Sequence, residues 1–153
     1  MTMRGKWAEG IEPRRFHWIL KDRLAICERP GGYGAHHRRV RRMEEIIWIR
    51  RNEFDRVVSI IDAPHNLHNY DEYDVRYVHR PMAIGDHTPA VLETTYTDFN
   101  NLLERGERLL VHHEELGDLI CGTMAGYLVW GGLVGAPPKA ITVIEQITER
   151  VLG

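Results

Sequence analysis

Leu109-Leu110-Val111-His112-His113-Glu114-Glu115-Leu116-Gly117-Asp118-Leu119-Ile120-Cys121-Gly122 decides the reading of this chain. Three apolar residues leading into paired histidines are a short buried strand. The polar run with Gly117 is a tight loop, and from about residue 117 the spacing predicts a helix to about 130. A strand that turns directly into a helix aims the first helical amides back into the loop. That arrangement is a ready cradle for an anion.

Outward from the cradle, strands and helices alternate. Residues 16–26 read as a strand or strand pair, and Pro30-Gly31-Gly32-Tyr33-Gly34 breaks it. Val40, Met43, Ile46 and Ile47 recur at helical spacing through about residue 51, which predicts an amphipathic helix on a sheet. Val57 to Ile61 is a short apolar run suited to a parallel strand covered on both faces. The polar stretch from Ala63 to Asp74 reads as a long surface loop. A strand over 75–80 then leads through the loop Pro81 to Pro89 into a helix over 90–105, closed by Gly106. Gly122, Ala125 and Gly126 would let the helix after the cradle lie close to the sheet. Pro137-Pro138 opens a last helix with Ile141, Ile144, Ile147 and Val151 on one stripe. The fold class expected is α/β, three layers, with a mostly parallel central sheet flanked by helices. Residues 1–15 are expected as a flexible lead-in, with Trp7 as an anchor, and 16–153 as a single domain.

The frame resembles the dual-specificity, protein-tyrosine-phosphatase-like enzymes, whose loop reads His-Cys-x-x-Gly-x-x-Arg before a helix of small residues. The residues that carry this are Phe16 to Ala25 with Arg29-Pro30-Gly31, Phe54 to Ile61, Val75 to Pro81, and the loop with Gly122 to Val129. The resemblance implies that His112 keeps the family's structural histidine. His113 then stands at the cysteine, Leu116 at the loop glycine and Leu119 at the arginine, and Asp86 holds the general-acid place. Cys121 becomes a small buried filler. The chain stops at Gly153, about where the family adds another helix, which favours a homodimer through the uncovered surface.

These substitutions remove the family's chemistry. A neutral imidazole is a poorer nucleophile than a low-pKa thiolate, and nothing near Leu119 in sequence restores the bidentate grip of an arginine. Glu114, Glu115 and Asp118 add repulsion: at about 5 Å and an effective dielectric of about 20, each costs a phosphate charge roughly 3 kcal/mol. The expected function is a catalytically inactive, pseudophosphatase-like domain with a binding or regulatory role. The alternative is a phosphohydrolase that uses His113, through a phosphohistidine, or a bound divalent metal. His113, Glu114, Asp86 and His87 are the metal candidates, for zinc, manganese or iron, although neighbouring strand residues point opposite ways. Asp86 is otherwise a solvated loop residue or a helix cap near Thr88.

Other stretches are candidates for contact. Arg38, Arg39, Arg41 and Arg42 place positive charge at the start of a helix, where the dipole disfavours it. They read either as an anion patch or as a solvated face paired with Glu44 and Glu45. The loop from Asn66 to Tyr73 is a candidate protein-contact surface. Leu116 and Leu119 are either an apolar socket or core packing, and Trp130 and Ile120 either apolar surface or core. At 153 residues and 43% hydrophobic content the chain suits one domain. A net charge of −2 gives no reason to expect nucleic acid, and no apolar run is long enough for a membrane span. Cys27 and Cys121 form no metal or redox spacing, so a cytoplasmic setting, no required cofactor and a protein partner are expected.

Overall fold

The structure is a computed structural model that describes residues 9–32, 37–62, 66–82 and 88–152. Five strands, β1 (His17–Leu20), β2 (Leu24–Glu28), β3 (Arg56–Ser59), β4 (Tyr77–His79) and β5 (Leu109–His113), form one sheet in the order β1-β2-β5-β3-β4. Only β1 runs antiparallel, as a hairpin with β2, and the remaining pairs are parallel. Among the described residues the helices are α1 (Arg39–Arg51), α2 (His68–Glu72), α3 (Pro89–Glu104), α4 (Asp118–Trp130) and α5 (Pro137–Thr148). The expected α/β architecture and mostly parallel sheet are what the chain forms.

Alternation along the strands divides the core in two. Leu109 and Val111 join Leu24, Ile26, Phe99, Met124 and Ile144 on the face covered by α3, α4 and α5. Leu110 joins Ala25, Cys27, Ile46, Ile49 and Tyr70 on the opposite face, under α1 and α2. Successive strand residues point to opposite faces, so His112 follows Leu110 toward α1 while His113 turns the other way. Cys27 and Cys121 are buried on opposite sides of the sheet, both as free thiols. Burial pushes both thiols above the ordinary range, which suits the expected role of Cys121 as filler.

Several elements depart from the sequence reading. The stretch expected as a surface loop contains α2, whose Asn69 and Tyr70 are buried. The inward stripe of α1 is Arg42, Glu45, Ile46 and Ile49, not Val40, Met43 and Ile47, and Val40 is 67% exposed. Glu45 turns inward because its carboxylate accepts from the Gly31 amide at 2.7 Å and from Arg41 Nε at 3.0 Å. Gly31 sits at φ +91°, and a Cβ there would come within 2.7 Å of Arg42 Cβ. Gly126 allows a close approach of α3, not of the sheet, since a Cβ would lie 2.2 Å from the Tyr96 hydroxyl. At Gly122 nothing lies within 4 Å. The stripe on α5 ends early because Glu149 turns left-handed at φ 56°, and Val151 is left 84% exposed.

The lead-in is described from residue 9, and Trp7 lies outside the described residues. Ile11 donates its amide to the Glu44 carbonyl, and Arg14 accepts from the Glu28 amide, so residues 9–15 are docked on α1 and β2. Among the described residues no helix is long and apolar enough to cross a membrane.

Candidate functional site

The parallel strands β2, β5 and β3 end level with one another: Cys27 pairs with His112, Glu28 with His113, and Ser59 with His112. In open parallel sheets the crevice beyond the carboxyl ends of the strands is where ligands bind. Here β5 turns through residues 114–117 into α4, whose N-cap, Gly117, offers no side-chain acceptor. The first-turn amides of a helix have no intrahelical acceptor, and its dipole favours negative charge there. The cradle expected from the sequence is therefore present.

Its side chains are arranged differently from the simple acidic loop expected. Glu114 is held by Arg29 Nη1 at 3.3 Å, and Asp118 by Arg150 Nη2 at 3.0 Å, while Arg150 Nη1 also donates to the Leu116 carbonyl. Both arginines come from distant sequence, one just past β2 and the other just past α5. The expectation of three unscreened carboxylates and no basic residue is corrected accordingly: of the three, only Glu115, which is exposed, is without an ion pair among the described residues. Leu116 is buried in the core and Leu119 packs against its edge, so packing, rather than an apolar socket, is their role.

His112 is 1% exposed and lies against the Tyr70 ring, with centroids 6.1 Å apart. Burial lowers its pKa to about 3, opposed by a hydrogen bond to the His113 backbone and assisted by the smaller fields of Arg29, His113 and His79. The ring is neutral. His113 is half-buried. Asp86 and His87, the general-acid and metal candidates of the preceding loop, lie outside the described residues. The cap of α3 is Thr88 itself, whose hydroxyl accepts from the Val91 amide at 3.3 Å. Among the described residues no group of three or more His, Cys, Asp or Glu is placed to hold a metal ion.

The four arginines of α1 do not form one patch. Arg38 and Arg39 are exposed, Arg41 is held by Glu45, and Arg42 is buried. Sequence reasoning gave Arg29 and Arg150 no role at the site, and Tyr70 entered only as part of the Asn66-to-Tyr73 contact loop. A second opening, an apolar groove of about 610 Å³, runs between α4 and α5, lined by Gly122, Val129, Trp130, Ile141 and Leu152 with Asp118 at its edge. Trp130 is 42% exposed and belongs to this surface, whereas Ile120 is fully buried core.

No protein-family model and no curated protein matches this sequence. Solved structures do match. A kinase-associated phosphatase whose catalytic-site cysteine is replaced by serine superposes with a TM-score of 0.75 at 19% identity, covering 92% of this chain and 87% of its own. The fold is that of the dual-specificity and protein-tyrosine phosphatases. P. aeruginosa TpbA, in complex with pTyr, aligns with a TM-score of 0.69 at 15% identity over 94% of this chain and 80% of its own. The human tyrosine phosphatase-like serine/threonine/tyrosine-interacting protein aligns at 0.63 and 13% identity, over 90% and 87%.

Proposed function

We propose that this chain is a phosphatase-fold protein that binds without hydrolysing: a pseudophosphatase whose partner is another protein chain, a second copy being one form of it. The observation that carries the reading is Leu119. At the position matching the family's arginine, an apolar side chain packs against the core, and no guanidinium stands there to grip a transferring phosphoryl group. His113 replaces the thiolate with a group that needs activation. Glu114 and Asp118 spend the two nearest arginines, Arg29 and Arg150, on ion pairs within the loop. A cytoplasmic setting accompanies this reading.

The test is hydrolysis of a generic aryl phosphate by metal-stripped protein and by protein supplied with zinc, manganese or magnesium, alongside His113→Ala. The expected result is no turnover above the His113→Ala background under any condition. Turnover abolished by that substitution, with or without metal, would replace the reading by a phosphohydrolase that works through His113.

A further inference from the structure

An ionised side chain leaves water at high cost unless counter-charge and hydrogen bonds replace the solvent. Arg29 and Arg42 are both nearly buried, with the Arg29 side chain 10% exposed and Arg42 8% exposed. They approach each other from the end of β2 and from α1, and they share one neutral acceptor. With its amide oriented to suit the two donors, the Asn66 oxygen accepts from Arg29 Nη2 at 2.7 Å and from Arg42 Nη1 at 3.3 Å. Arg42 Nη1 also lies 3.1 Å from His37 Nε2. Since a guanidinium only donates, His37 is the acceptor and its ring is neutral, in keeping with a pKa lowered by burial and by Arg29 and Arg42.

The count of charge does not close. Glu114 answers Arg29. Glu45 is committed to Arg41 and the Gly31 amide, and Glu72, which is exposed, reaches Arg42 only through its field. Among the described residues, Arg42 makes no ion pair. Arg42 Nε and the Tyr70 hydroxyl have no hydrogen-bond partner there. Both residues line one cavity, with Arg29, Pro30, Ile46, Asn66, Leu67 and His112. It encloses about 10 Å³, the room of roughly one water. Orphan groups able to donate, converging with excess positive charge, call for an acceptor that carries negative charge.

We propose that the mouth of this cavity, where Arg29 and Arg42 meet at Asn66, is an oxyanion site, for phosphate or the head of a phosphomonoester, and that Glu114 is its built-in competitor. The proposal rests on the reading that the protein binds without turnover, and it supplies the ligand. A tetrahedral oxyanion matches two guanidinium forks and a hydroxyl. Glu114, with its side chain 31% exposed, swings out to water, which frees Arg29 to hold the anion at the mouth of the cavity. The site lies on the α1 face of β5, behind His112, and so back to back with the cradle, toward which His113 and the first turn of α4 face.

The test is calorimetric titration with inorganic phosphate at fixed ionic strength and pH 7.5, repeated with a phosphoserine peptide. Glu114→Gln, which removes the competitor's charge, tightens phosphate binding about tenfold, the loss of one charge-assisted bond. Arg42→Gln weakens it about tenfold or more, and Tyr70→Phe, which keeps the ring and removes only the hydroxyl, about fivefold. If Arg42→Gln does not fold, the other two variants decide the matter, because misfolding does not tighten binding. Binding of the free ion alone makes the ligand inorganic phosphate; binding of both makes it a phosphorylated side chain. Absence of phosphate binding in both wild type and Glu114→Gln overturns the proposal. So does binding indifferent to Arg42 and Tyr70, which would put the anion at the start of α4. Aryl phosphate turnover would overturn the non-catalytic reading and leave this site standing, so the two fail separately.

Discussion

His112→Gln should flatten the acid sensitivity of this protein. An exposed histidine titrates near 6.5, and burial beside Arg29 holds His112 down to about 3. Between those values the unfolded chain takes up a proton that the folded protein refuses, so stability falls as pH falls and is unaffected above about 6.5. The slope approaches about 1.4 kcal/mol per pH unit. At pH 5 the cost is about 2 kcal/mol, and below pH 3 it approaches about 5 kcal/mol, a large fraction of the stability of a typical domain. Glutamine is close in size and does not titrate. Urea unfolding followed by tryptophan fluorescence at pH 7.5, 6 and 5 gives one stability curve for each protein. The wild type should lose about 2 kcal/mol more than His112→Gln between pH 7.5 and pH 5. His17 and His37, whose pKa values burial also lowers, are common to both proteins and cancel in the difference. The lost contact with Tyr70 offsets the whole variant curve without tilting it. Parallel curves would refute the reasoning, since they would mean that His112 is no harder to protonate in the folded state than in the unfolded.

Gly126→Ala should destabilise the protein despite alanine's helix propensity. The new Cβ would meet the Tyr96 hydroxyl at 2.2 Å, and that hydroxyl donates to the Thr123 carbonyl at 2.9 Å. A propensity gain of about 1 kcal/mol is set against overpacking of about 1–3 kcal/mol and a lost hydrogen bond of about 1 kcal/mol; adding Tyr96→Phe should recover at least about 1 kcal/mol in a double-mutant cycle of urea midpoints. Gly31→Ala should lower the melting temperature by several degrees, about 4–8 °C for about 2 kcal/mol. Its φ of +91° suits glycine, and its Cβ would press on Arg42 Cβ and His37 Nε2. An unchanged melting temperature would mean that the loop after β2 relaxes freely.

Much of the frame was legible because it depends on local signals. Leu109 to His113 announced a buried strand, Pro89 and Gly106 bracketed α3, and Pro137-Pro138 marked the start of α5. What stayed hidden depends on long-range pairing. Arg29 meets Glu114 across 85 residues and Arg150 meets Asp118 across 32, so an inspection of the loop's own neighbourhood finds three acids and no base. The register Glu28 opposite His113 makes Arg29 the residue facing Glu114, and this would follow from the strand order once β2 was set beside β5. Helix α1 misled for a different reason. Periodicity arguments assume that apolar residues point inward, and here Arg42 and Glu45 take inward positions because Gly31, Asn66 and Arg41 give their polar atoms partners. Tyr70 was lost in a polar stretch because the partners that bury it, Ile46, Leu110, Tyr77 and the His112 ring, come from distant elements.

The substitutions in the loop and the arginines around it form one electrostatic arrangement. A cradle that held a phosphoryl group would need its positive charges free and its loop neutral. In this chain the loop has acquired carboxylates, and each of two arginines brought to it by the fold is paired with one of them. The end of the sheet is thus neutralised from within on the cradle side. On the other face of β5 the balance is opposite: among the described residues Arg42 makes no ion pair, burial keeps His37 and His112 neutral, and Arg42 Nε and the Tyr70 hydroxyl have no hydrogen-bond partner. Glu114 belongs to both sides, since it is the loop residue after His113 and the counter-ion of Arg29. On the proposal that an anion binds at Arg29 and Arg42, that anion competes with Glu114 for Arg29, so a partner that draws Glu114 away would favour the anion, and by linkage the anion would favour that partner by the same factor.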